Sequence, residues 1–282
     1  MGYLLLATIC FSLSFGMIRS NLATLPSAYV ATLTLLLAAI IFLPVAKFKN
    51  NLQLQIKALL IGMLQFGLMN LCYLKAFQTL QGNEVAILTT TTPIFVAIFA
   101  SLTGEKFRIG YILCIILAVV GAATIVWQRL PLSNLLVAIL FMESANISFA
   151  IGQILWRHYL ADNSAAVMSS AYLGGALFTL PFAAIVYPLI PFPLSYPQLG
   201  AIAYKSIIAT GLGYFLWNKG ATKVNAGLLA IANNLKIPFG VFFAITIFHE
   251  KISLWPFISG TTMIIISIIL LQFLTRKNSV KN

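Results

Sequence analysis

Glu143, Asn146, Ala150, Gln153 and Arg157 follow one another at spacings of three, four, three and four within an otherwise apolar stretch. On a helix, at about 100° per residue, they fall within an arc of about 80° and form one polar stripe. A carboxylate set among amides can accept an ammonium group, a cation or a proton. A second stripe joins Asn225, Asn233, Lys236 and Gly240. Acid on one stripe and base on the other suit a zwitterion such as an amino acid: Glu143 would face its ammonium and Lys236 its carboxylate, through charge-assisted hydrogen bonds. The same two charges could instead meet as a static ion pair fastening two helices. Protons are a candidate coupling ion, carried on Glu143. Arg157 and the helix-end histidines, His158 and His249, read as interfacial groups.

Further candidates are aromatic or small. Ser206, Thr210, Gly213 and Trp217 share a helical face with Tyr214 beside it, which serves either ligand stacking or close helix packing. Gln65, Asn70 and Tyr73 share one segment but not one face, and Thr91 belongs to a run of threonines ahead of Pro93. Cys10, Cys72 and Cys114 lie in apolar runs with no Cys-x-x-Cys, so neither a disulfide framework nor a metal site is expected. The sequence has no phosphate-binding loop, no nucleophile elbow and no His-Glu-x-x-His. Neither an enzyme nor a cofactor is expected.

The elements holding these residues must be membrane helices. The 282 residues are 61% hydrophobic and 8% charged, against about 25% charged in soluble domains. A bilayer-spanning helix needs roughly 20 apolar residues. Ten stretches qualify: Tyr3 to Met17, Ala28 to Ala46, Lys57 to Phe77, Glu84 to Thr103, Ile109 to Trp127, Asn134 to Trp156, Ala165 to Tyr187, Gln198 to Trp217, Ala226 to Phe248 and Leu254 to Thr275. Continuous runs such as Ile112 to Val120 exclude a barrel, whose strands alternate. The first stretch reads as a retained helix, lacking a basic leader region. Eleven basic residues fall at segment ends on the side of the termini (Lys47, Lys49, Lys57, Lys106, Arg108, Arg157, Lys219, Lys223, Arg276, Lys277 and Lys281) against Arg19, Lys75, Arg129 and Lys251 opposite. Both termini are therefore expected in the cytoplasm. The net charge of +12 is a topology signal and not a nucleic-acid footprint.

The chain also repeats itself. Glu105-Lys106 and Glu250-Lys251 stand 145 positions apart, as do Pro93 and Pro238, Gly82 and Gly227, and Ala76 and Ala221. Two halves follow, residues 1–130 and 131–282, each of five helices. Five is odd, so the halves are inverted, with a substrate site expected between them at mid-depth. Pro93 and Pro238 sit within the fourth and ninth stretches as helix breaks, each freeing a carbonyl that protein or water must satisfy.

These features resemble the drug/metabolite transporter superfamily, specifically its EamA-type ten-helix exporters. Tyr73 to Lys106 and Tyr214 to Lys251 carry the resemblance, with a proline in the fourth helix of each half and Glu-Lys at its end. It implies a central cavity within helices 1 to 4 and 6 to 9, helices 5 and 10 being peripheral. It also implies a secondary transporter of a bacterial inner membrane, exporting a small polar metabolite by alternating access. The chain departs from the family where Ile237 and Lys236 precede the second proline, a place where relatives often carry Glu. The runner-up is a carrier of organic anions or nucleotide-type metabolites, or a multidrug exporter, with Lys75 and Lys205 joining Lys236 in an electropositive path. The partners expected are a small-molecule substrate and the lipid bilayer.

Overall fold

The computed structural model describes residues 1–47, 52–80, 85, 88–105, 109–126, 135–186, 193–247 and 253–279. Lys49, Gly82, Glu84, Lys106, Arg108, Trp127, Arg129, Asn134, Tyr187, Phe248, His249, Glu250, Lys251 and Lys281 lie outside the described residues. The protein is a polytopic all-α membrane protein. Among the described residues, eight helices are long and apolar enough to cross a membrane, with Thr92–Leu102 and Ile109–Ile125 as shorter apolar helices. In chain order they are α1 (Gly2–Leu22), α2 (Ser27–Val45) and α3 (Leu52–Thr79), then α4 (Thr92–Leu102), α5 (Ile109–Val126) and α6 (Leu135–Tyr159). The remainder are α7 (Ser164–Val186), α8 (Tyr196–Ala221), α9 (Ala226–Ala232 and Lys236–Thr246) and α10 (Leu254–Ser279).

Helices pair across the two halves as a two-fold relation requires. α2 packs on α7 and α5 on α10, each with its own counterpart. The other contacts come as mirrored sets, α3 with α6 matching α8 with α1, and α4 with α6 matching α9 with α1. Close approach depends on glycine. A Cβ on Gly62 of α3 would overlap the carbonyl of Ala171 on α7, and one on Gly260 of α10 would overlap the carbonyl of Gly121 on α5. Small residues let membrane helices touch backbone to backbone, which supplies dispersion contacts where lipid offers no hydrophobic gain. Leu113, Ile116 and Val120 of α5 and Ile258, Ile265 and Phe273 of α10 remain exposed, an outer surface suited only to lipid.

The two prolines do not sit in continuous helices. Before Pro93 the chain turns at Thr90–Thr91, and α4 begins at Thr92. Before Pro238, Asn233–Leu235 form a 3-10 turn between the two parts of α9. Proline disfavours helical geometry in the residue ahead of it yet fits a first helical turn. Each break in the fourth and ninth stretches thus falls just ahead of its proline, which sits at the start of the helix that follows.

Each break is held by the helix that packs on it. Asn146 Nδ2 of α6 donates to Leu88 O at 2.9 Å, and Thr92 Oγ1 donates to Thr89 O at 2.8 Å. At the other break Ser12 Oγ of α1 donates to Lys236 O at 2.9 Å, and Asn233 Nδ2 donates to Leu229 O at 2.9 Å. At the first break the carbonyl that Pro93 deprives of its helical donor, Thr89 O, is thus met by a side chain of the protein.

Candidate functional site

Between α1, α3, α6, α8 and α9 lies a cavity whose empty space, open mouth included, is about 690 Å³. One end is aromatic. Phe11 of α1 lies 5.0 Å from Tyr214 and 6.0 Å from Trp217, ring centre to ring centre, and Phe149 of α6 lies 6.0 and 5.8 Å from the same two rings. Trp217 Nε1 donates to Gln153 Oε1 at 3.0 Å, so the indole is fixed edge-on from behind.

Among the described residues, the remaining wall carries two cations and no acid. Lys205 is 4% exposed, and its ammonium donates to Asn70 Oδ1 of α3 at 2.8 Å. Asn70 Nδ2 in turn donates to Phe66 O at 2.9 Å. Lys236 enters from the start of the second part of α9. Among the described residues its ammonium makes no hydrogen bond or ion pair. Asn233 Oδ1 and Thr210 Oγ1, on residues of the same wall, are buried without a hydrogen-bond partner among the described residues. The only ion pair among the described residues joins Arg157 and Glu105, outside the cavity. A space of this kind has donors and positive charge to offer an anion, with flat apolar faces for a ring.

Asn146, Tyr73, Tyr214, Trp217, Asn233 and Lys236 lie on this wall, as do Phe11, Phe149 and Met69, which the sequence reading missed. Thr91, Asn70, Gln153 and Glu143 do not line it. Asn70 and Gln153 stand one layer back, each holding a side chain that does. The expected meeting of Glu143 with Lys236 is corrected. Glu143 Oε2 accepts from Thr91 Oγ1 at 2.8 Å and lies 3.4 Å from Asn146 Nδ2, so its carboxylate joins the network at the α4 break. The face that α6 presents is Met142, Ala145, Asn146 and Phe149, turned by about 70° from the polar stripe at about 100° per residue. That face was legible as a 3-1-3 spacing, but it carries only one polar group and drew no notice.

The reading of α8 fails for another reason. Lys205–Gly213 is π-helical, so its bonds run i→i+5 and the turn is wider than an α-turn. The wall is accordingly Lys205, Ala209, Thr210, Tyr214 and Trp217. The face read at the α-helical period, Ser206, Thr210, Gly213 and Trp217, shares only two of these. Lys75 is exposed and bonds Gln78 at 3.0 Å, away from the cavity, so it does not extend an electropositive path.

Comparison with known proteins adds relatives along almost the whole chain. The EamA-like transporter family matches residues 1–127 and 136–273. A probable biotin transporter of Pseudomonas aeruginosa is 32% identical over 275 residues, covering 95% of this chain and 96% of that protein. A biotin transporter of Salmonella typhimurium is 31% identical over 276 residues (95% and 91%), and one of Escherichia coli is 30% identical over the same length (95% and 91%). One solved crystal structure, 14% identical, superposes with a TM-score of 0.78 over 98% of this chain and 96% of its own, a likeness of fold.

Proposed function

Because the chain belongs to the EamA-like transporter family, whose members here are small-molecule transporters, we propose that it carries an organic carboxylate across the membrane, with biotin as the first candidate. The observation that supports this most is the wall chemistry: among the described residues, two lysines, no Asp or Glu, and an aromatic cluster enclose one space. An anion would gain charge-assisted hydrogen bonds there, and a ring would gain stacking faces. The biotin-transporting relatives support the same reading, biotin being a ring system with a carboxylate tail. An amino acid fits less well. Its ammonium needs an acid on the wall, and Glu143 is engaged elsewhere. Movement would follow from alternating access between two similar halves.

Purified protein in liposomes loaded with unlabelled biotin should take up labelled biotin by counterflow, saturably and without ATP. Unlabelled biotin outside should compete, while alanine, serine and lysine should not. Counterflow of an amino acid with no uptake of biotin would replace this reading with the zwitterion one.

A further inference from the structure

We propose that Lys205, held in place by Asn70, reads the carboxylate of an elongated substrate whose ring lies against Phe11, Phe149, Tyr214 and Trp217. The inference rests on the carboxylate reading above and assigns the two ends of the ligand within the cavity.

Asn70 is a neutral acceptor, so it orients the Lys205 ammonium without cancelling its charge. Its own orientation is fixed: Nδ2 is spent on Phe66 O, and the reversed amide would set N–H groups against an ammonium. Lys205 is thereby ordered before any ligand arrives, which removes an entropic cost from binding. Asn70 is a positioning residue, and Lys205 is the one that touches the anion. Lys236, with no hydrogen-bond or ion-pair partner among the described residues, lines the same space.

Distance then selects the substrate's shape. Lys205 and Trp217 are twelve residues apart along one wall of α8, about three turns of helix. A substrate touching both must carry its ring several bonds from its carboxylate. An α-amino acid instead brings an ammonium on the carbon beside the carboxylate, against the Lys205 charge. Asn233 Oδ1, buried and unpartnered beside the same space, is left to accept an N–H from the ring end or the linker.

The test compares an acid with its neutral amide in the liposome counterflow assay, using biotin and biotinamide as competitors and labelled biotinamide as a second tracer. Wild-type protein should prefer the acid by about tenfold or more, the scale of one charge-assisted hydrogen bond. Lys205→Met and Asn70→Asp should each bring that ratio close to one while biotinamide still enters. Asn70→Asp keeps the side-chain shape and neutralises the lysine in place, so it separates charge reading from packing. Lys75→Met, which removes a surface charge from α3, should keep the wild-type ratio. Acid preference retained in Lys205→Met or in Asn70→Asp overturns the inference alone, as does wild-type protein that moves both compounds without preference. Wild-type protein that moves neither overturns the proposed function and this inference with it.

Discussion

Arg157 Nη1 stands 2.9 Å from Glu105 Oε1, joining the ends of α6 and α4 on one membrane face. Glu105 Oε2 also accepts the N–H of Ala226, the first residue of α9, at 3.2 Å, and Arg157 Nη2 donates to Val224 O at 3.0 Å. On the other face Arg19 of α1 donates to Phe77 O and Leu80 O, each at 3.3 Å, at the end of α3. An arginine on each face thus ties the end of one helix to backbone carbonyls of another segment.

Breaking the Arg157–Glu105 pair should alter transport far more than stability. Glu105 is 40% exposed, and pairs so open to solvent are worth about 0–1 kcal/mol. Glu105→Gln and Arg157→Gln should therefore keep the wild-type melting temperature in detergent. Both should change the counterflow rate, because three helix ends must separate before the cavity can open on that face. Wild-type counterflow in both variants would make the pair ornamental.

Pro93→Ala and Pro238→Ala should insert normally, since alanine favours helix. An unbroken α9 would redirect Asn233 and Lys236, so slowed counterflow is expected of Pro238→Ala. In Pro93→Ala the carbonyls now held by Asn146 and Thr92 would be recaptured by the helix itself, with the same outcome. Rates equal to wild type in both would reduce the breaks to packing detail.

Glu143→Gln should retain biotin counterflow, because the amide oxygen still accepts from Thr91 and the side chain does not line the cavity. If protons drive accumulation through this carboxyl, the same variant loses uptake against a gradient while exchange persists. Loss of exchange itself would return Glu143 to the substrate site.

Gly62→Ala should lower thermal stability, by an amount on the order of 1–3 kcal/mol typical of overpacked cores. The added methyl overlaps the backbone of Ala171, which cannot swing aside as a side chain would. A melting temperature equal to wild type would mean that α3 and α7 are free to separate.

Single cysteines at Lys223 and Lys75, in a background lacking Cys10, Cys72 and Cys114, should label from opposite sides of the membrane with an impermeant thiol reagent. Both positions are exposed, and the distribution of basic residues predicts the cytoplasmic side for Lys223. Labelling from one side only would refute the assigned topology.

Hydropathy sufficed for ten helices because a bilayer core imposes one length and one composition on whatever crosses it. The 145-residue offset pointed to a duplication, and Lys236 was legible because an ionisable group at membrane depth is costly enough to need an interior. What the linear pattern could not supply was partnership. Glu143 and Lys236 read as a pair from composition alone, yet Glu143 turns to Thr91 because the broken start of α4 packs against α6. Lys205 read as a member of an electropositive path with Lys75 and Lys236, but its partner Asn70, 135 residues away in the chain, was not legible across the π-helical stretch from Lys205 to Gly213. Local sequence fixes which residues lipid will reject. Which of them meet depends on the helical period and on the packing of α3 against α8 across the two halves, quantities set by the whole bundle.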